Sequence, residues 1–174
     1  RGFMGRIYLV RHAATLWNLE RRWQGIHDVP LSDAGHEQLP GVERFFSGVA
    51  LERIYVSDLV RARETAAAVG VATGCEVEVR GALRERSFGQ WEGHTNAELM
   101  EADPEMMATY QADRDGYCPP GGQPWNDFAR HAVSTMESIS AQHTDDVIAV
   151  VTHGGFLGAF INHVLRSDRG RVNR

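Results

Sequence analysis

Four short segments carry residues that could act together on an anion. Arg11-His12 follows the apolar run Ile7-Tyr8-Leu9-Val10, and Ser57-Asp58 follows Ile54-Tyr55-Val56, with Arg61 one turn further on. Arg84, Glu85 and Arg86 come after Val77-Glu78-Val79, and Thr152-His153-Gly154-Gly155 comes after Val147-Ile148-Ala149-Val150-Val151. Ligands of open α/β sheets collect at the carboxyl ends of the strands, so these segments are expected on one rim. Imidazoles held among fixed guanidinium groups suit an anionic substrate, and phosphate is the common one.

The residue types match the needs of phosphoryl transfer: a nucleophile, cations on the equatorial oxygens, and a proton for the departing oxygen. A neutral histidine nitrogen attacks when the other ring nitrogen donates to a fixed acceptor. Nearby arginines keep the ring neutral and grip phosphate through paired hydrogen bonds. A carboxylic acid protonates the leaving group and then serves as base on water. Each residue also has a plainer reading. His12 and His153 read as hydrogen-bonded rim histidines, Arg11 and Arg61 as surface ion-pair partners, and Glu85 as a salt-bridge acceptor between two arginines. Gly154-Gly155 either lets a helix start close to a strand or exposes helix-terminal N–H groups to phosphate. The functional case rests on the four segments together. His27, His36, His94, His131, His143 and His163 show no HxxxH or HxH spacing, so neither a zinc site nor any other cofactor is expected.

The positioning elements follow from periodicity. The four apolar runs read as strands. Asp58 to Gly70 reads as a helix with Leu59, Ala62, Ala66 and Val69 on one face, capped by Ser57 or Asp58 and ended by Gly70. Phe128, Ala132, Met136 and Ile139 mark a second helix. Asp33 to Phe46 looks helical after Ser32, but Pro40 predicts a kink or a late start. Residues 92–115 are expected as two short helices broken near Asp103-Pro104. Repeated strand-helix-strand order predicts a three-layer α/β/α sandwich with a mainly parallel sheet.

Composition narrows the class. All 18 basic residues among the 174 are arginine, which excludes a Schiff-base lysine and a Walker-type phosphate loop. Twenty-three acids against 18 arginines give a formal charge of −5, the wrong sign for a generic nucleic-acid binder. The length suits one domain over residues 1–174. Cys75 and Cys118 are the only cysteines and are expected as free thiols. Neither a membrane-length apolar run nor a leader is visible, so a cytoplasmic protein is expected. Met4 behind Arg1-Gly2-Phe3 is read as the natural start, with residues 1–3 a remnant ahead of it. Oligomeric state has no signature here.

The blocks resemble a known family in order. Leu9-Val10-Arg11-His12-Ala13-Ala14-Thr15-Leu16-Trp17-Asn18 is similar to the opening signature of the histidine phosphatase superfamily, also called phosphoglycerate-mutase-like. Arg22-Trp23-Gln24-Gly25 with Asp28-Val29-Pro30-Leu31-Ser32 resembles its next block, and Ser57 to Ala66 its second arginine motif. Leu83 to Gly93 resembles the acid motif and Val151-Thr152-His153-Gly154-Gly155 the last. The resemblance implies the phosphoglycerate mutase-like fold and a phosphohistidine formed at His12. It implies a phosphate pocket of Arg11, Arg61, His153 and Gly154, and Glu85 as proton donor. Thr15, Asn18 and Gln24 match positions that line or support the pocket. Arg84, Arg86 and the loop around Gly121-Gly122 are specificity candidates.

Three departures stand out. Ala13 replaces the family's usual Gly, which would be strained if the turn required φ > 0. Gln123-Pro124 replaces Glu-Ser near the pocket entrance. The strand that relatives carry after the last helix is not seen before Asn173-Arg174, so either the sequence is cut short or the sheet lacks an edge strand. The expectation is a metal-independent phosphomonoesterase acting on small phosphorylated metabolites, without nucleic-acid or membrane partners. A cofactor-dependent phosphoglycerate mutase is the alternative, disfavoured by the short, acidic segment between Glu85 and His153. A protein phosphatase and a catalytically silent phosphate-binding module on the same fold are the others, although His12 and Glu85 are both retained.

Overall fold

A computed structural model describes residues 5–165. The expectations about the start at Met4 and about a strand after the last helix lie outside those residues. Strands β1 (Arg6–Arg11), β2 (Arg53–Val56), β3 (Val77–Val79) and β4 (Val147–Thr152) form a sheet of order β1-β4-β2-β3. Every pairing in it is parallel. The strands are the apolar runs of the sequence, because a parallel sheet covered on both faces has no use for polar alternation.

Side chains on a strand alternate between faces, and the packing follows that period. Ile54, Val56, Ala149 and Val151 meet Phe46 of α2 (Asp33–Phe46) and Ala62, Ala66 and Val69 of α3 (Val60–Thr73). The intervening Tyr55, Ile148 and Val150 meet Phe128, Ala132, Met136 and Ile139 of α6 (Trp125–Gln142). Phe156 and Ala159 of α7 (Gly154–Val164) complete that layer, giving the expected α/β/α sandwich. Truncating Met136, which is fully buried, to Ala is expected to cost about 2–5 kcal/mol.

A smaller aromatic cluster supports the segment that carries Glu85. Phe88, Trp91, Leu99 and Met107 pack with Trp23, Tyr110 and Tyr117, joining the loops to α4 (Asn96–Ala102) and α5 (Pro104–Ala112). The break between these two helices falls at Asp103, whose side chain accepts from Met106 N–H while Pro104 occupies the first helical position. A proline there gives up an N–H that would lack an intrahelical partner anyway.

Two helix boundaries differ from the sequence reading. The helix predicted from Asp58 starts at Val60, and its cap comes from far away: Asp28 Oδ1 accepts from Val60 N–H at 2.7 Å. It also runs past Gly70 to end at Gly74, whose φ of 69° makes it the left-handed stop. In α2 the Ser32 hydroxyl caps Gly35 N–H, and the helix continues through Pro40 rather than starting after it. His36 and Pro40 are both exposed, so the interruption lies on residues at the surface rather than in the core. Cys75 and Cys118 are free. No helix among the described residues is long and apolar enough to cross a membrane.

Candidate active site

Strand register brings the two histidines together. Arg11 pairs with Thr152 across β1 and β4, His12 N–H donates to Thr152 O at 3.0 Å, and the residue that follows β4 is His153. The imidazole centroids lie 5.2 Å apart, tilted by 55°. On the other side of β4, Ser57 N–H donates to Val151 O at 3.1 Å. The Ser57 hydroxyl thereby reaches His153, with Oγ 2.8 Å from Nε2.

The tautomer of His12 is fixed by its neighbour. Nδ1 lies 2.8 Å from Ala13 O, and a carbonyl only accepts, so Nδ1 bears the proton and Nε2 keeps its lone pair. Burial, with help from Arg61 and Arg11, lowers the His12 pKa to about 3, although the bond to Ala13 O acts in the opposite direction. The ring is therefore neutral at physiological pH. His153, fully buried, is pushed well below the usual histidine range by burial first and then by Arg61, His12 and Arg11.

Arg61 is placed by two backbone carbonyls. It is 1% exposed, donating from NH1 to His27 O at 2.7 Å and from NH2 to Gly25 O at 2.8 Å. Burial lowers its pKa to about 10, with Glu85, Asp28 and Glu92 raising it, so the charge persists near neutrality. Its Nε and His153 Nδ1 are both buried without a hydrogen-bond partner. Two such orphans are costly unless something occupies the space before them, since each unmade bond forfeits about 1–3 kcal/mol. Arg11, by contrast, is exposed.

The first turn of α7 completes the site. Glu85 Oε2 accepts from Gly155 N–H at 2.7 Å and Oε1 from Arg86 N–H at 2.9 Å. A β-carbon on Gly155 would collide with Glu85 Oε1, and one on Gly154 would sit 3.3 Å from Arg11 Cζ. The paired glycines thus allow both close approaches. Thr152 Oγ1 donates to Leu83 O at 2.6 Å, which ties the strand end to the turn preceding Glu85.

His12, Arg11, Arg61, Glu85, His153 and Gly154 are thus gathered at the strand ends. Thr15, Asn18 and Gln24 form a neighbouring set. Thr15 Oγ1 lies 3.0 Å from Asn18 Oδ1 and 2.8 Å from Gln24 Oε1, and Asn18 N–H donates back to Thr15 Oγ1. This set braces the loop after β1, and Gln24 adjoins the Gly25 carbonyl that holds Arg61.

Several sequence readings change. Ala13 is not strained, because the positive-φ non-glycine residue among those described is Arg21; Ala13 N–H donates to Thr65 Oγ1 at 2.9 Å. Arg84 is tied to Asp58 by two bonds of 2.7 and 2.6 Å. Arg86 is buried and donates to Gln123 O and Tyr117 O, so it clamps the 117–123 loop instead of facing outward. Pro124 leaves α6 without a side-chain cap. The carbonyls of Gly25 and His27, the Asp28 cap and the Ser57–His153 contact were not anticipated. Only the short sequence distance from Gln24 to Asp28 within one matched block hinted at the first three. Among the described residues no group of three or more His, Cys, Asp or Glu could hold a metal ion.

A family model described as "Histidine phosphatase superfamily (branch 1)" matches residues 7–174. The chain is 35% identical over 166 residues to phosphoglycerate mutase-like protein 4 of Arabidopsis thaliana, covering 94% of this chain and 72% of that protein. It is 34% identical to the metal-independent phosphoserine phosphatase of Arabidopsis thaliana, covering 93% and 69%. The crystal structure of the alpha-ribazole phosphatase from Shigella flexneri superposes with a TM-score of 0.84 at 26% identity, covering 91% and 79%.

Proposed function

The chain belongs to the histidine phosphatase superfamily and is a phosphatase, and on that premise we propose that it is a metal-independent phosphomonoesterase of small phosphorylated metabolites, working through a phosphohistidine at His12. The observation that carries this reading is the pair of buried, unpartnered nitrogens, Arg61 Nε and His153 Nδ1, beside a neutral His12 whose Nε2 keeps its lone pair.

Arg11, Arg61, His153 Nδ1–H and the helix terminus at Gly154 hold the non-bridging oxygens of the phosphoryl group. His12 Nε2 attacks phosphorus as the ester P–O bond breaks, and Glu85 gives its proton to the departing oxygen. Glu85 then takes a proton from water, which attacks the phosphohistidine; the N–P bond breaks and phosphate leaves. Cations that grip more firmly as charge develops favour the transition state over the bound ester. Thr15, Asn18 and Gln24 support the loop that carries the nucleophile and border the bound phosphate.

The state of the intervening arginines favours hydrolysis over mutase chemistry. Between Glu85 and His153, Arg86 donates to backbone carbonyls, Arg114 lies over the Tyr110 ring, and Arg130 pairs with Asp127. A mutase must retain a second phosphate and shield its intermediate from water, and these side chains are engaged elsewhere. The relatives named for phosphoserine and alpha-ribazole support a small organic phosphate as the substrate class. Incubation with p-nitrophenyl phosphate in excess EDTA should release phosphate at an undiminished rate; turnover lost to EDTA would refute metal independence. With 3-phosphoglycerate and 2,3-bisphosphoglycerate, free phosphate is expected and 2-phosphoglycerate is the mutase outcome.

A further inference from the structure

We infer that Ser57 is a positioning residue that fixes neutral His153 with its proton on Nδ1, so that a buried N–H is aimed at a phosphoryl oxygen; this rests on the phosphatase reading above. Ser57 and His153 are both fully buried, and the Ser57 Oγ to His153 Nε2 distance is 2.8 Å. Which atom donates decides what the other ring nitrogen offers.

Proton accounting at Oγ separates the two cases. A serine hydroxyl has one proton to give and two lone pairs to receive with. Leu59 N–H already points at Oγ, at 3.4 Å. Were Nε2–H also to donate to Oγ, the hydroxyl proton would need another buried acceptor, and Ser57 Oγ makes no further hydrogen bond among the described residues. With the hydroxyl donating to Nε2, every proton of Ser57 is placed, and the ring proton falls on Nδ1. Nδ1 is the atom left buried and unpartnered.

The charge logic agrees. A bare Nδ1 lone pair would repel phosphate oxygen, whereas Nδ1–H attracts it. A protonated ring would make the tautomer irrelevant, but burial beside Arg61, His12 and Arg11 keeps His153 neutral. The same pattern appears independently at His12, where Ala13 O holds the proton on Nδ1. In one ring it frees Nε2 to attack; in the other the hydroxyl occupies Nε2 and frees Nδ1–H to bind.

Long-range proton–nitrogen correlation spectra of nitrogen-labelled protein read the tautomer directly. The wild type should show His153 protonated on Nδ1, and Ser57→Ala should shift it toward Nε2–H or a mixture. Removing one buried donor contact to an anion should weaken inorganic phosphate binding and lower kcat/KM by about tenfold or more. Ser57→Thr, which keeps a hydroxyl, should restore the Nδ1–H pattern if the added methyl is accommodated; amide spectra report whether each variant is folded. His153 protonated on Nε2 in the wild type, or a folded Ser57→Ala with unchanged tautomer and phosphate affinity, would overturn the inference. Absence of phosphatase turnover in the wild type would instead strike the functional reading, because the tautomer is observed without substrate.

Discussion

Glu85 Oε2 accepts a hydrogen bond from Gly155 N–H at 2.7 Å, which fixes the carboxyl group on the first turn of the helix that His153 opens. Gly155 is required by this approach, since a β-carbon would collide with Glu85 Oε1. Gly155→Ala is expected to displace the proton donor without removing it. For alkyl phosphates kcat/KM should fall by about ten- to a hundredfold, part of the 10²–10⁴ typical of a general acid. For p-nitrophenyl phosphate, whose leaving group needs little protonation, the loss should be smaller. Glu85→Gln should show the same asymmetry, and equal losses on both esters would contradict the role.

Because burial among arginines brings His12 to about pKa 3, the free enzyme already holds its nucleophile unprotonated at mildly acidic pH. The kcat/KM profile reports free-enzyme ionisations. Corrected for ionisation of the ester, it should show no loss from histidine protonation near pH ~6.5, the ordinary histidine value. An acid limb there that moves when Arg61 is substituted would show that His12 titrates normally.

Stability should depend on the same two rings with the opposite emphasis. His12 and His153 have folded-state pKa values below the unfolded one, so unfolding takes up protons below pH ~6.5. Their contribution is complete above that value and drains away as pH falls toward the folded values, by up to about 1.4 kcal/mol per pH unit for each ring. Urea unfolding at a series of acidic pH values should show this slope, and a folded His12→Gln should lose about one proton's share of it.

Asp28 reaches across the fold to cap α3 at Val60 N–H, close to the carbonyl of His27 that receives Arg61. Asp28→Ala should cost about 1 kcal/mol of stability through the lost cap, read as a lower Tm. It should also raise KM by loosening the segment that holds Arg61. A variant with unchanged Tm would show that the cap contributes nothing.

Much of this arrangement was legible in the sequence because it depends on local pattern. Apolar runs of strand length located β1, β2, β3 and β4, and the rule that ligands gather at strand ends located Arg11, His12, Arg61, Glu85 and His153. The break at Asp103-Pro104 was readable because both capping residues are adjacent in the chain. What escaped is long-range. Ser57 looked like a helix cap, yet its hydroxyl turns to His153, 96 positions away, and the cap comes from Asp28 instead. Arg86 read as a specificity candidate because nothing local shows that its guanidinium donates to the backbone of the 117–123 loop. Whether Ala13 is strained depended on the φ of its turn, which residue types alone do not give; its backbone has no need of positive φ.

On the proposed mechanism His12 Nε2 becomes covalently phosphorylated. Rapid quenching of the enzyme with a labelled phosphomonoester, followed by intact-mass and peptide analysis, tests it most directly. A single added phosphoryl group is expected, stable in base and labile in acid as a phosphoramidate is, mapped to His12 and absent from His12→Ala, which should also lose turnover by about a thousandfold or more. Turnover that continues in a folded His12→Ala, or a phosphoryl group found on another residue, would contradict it.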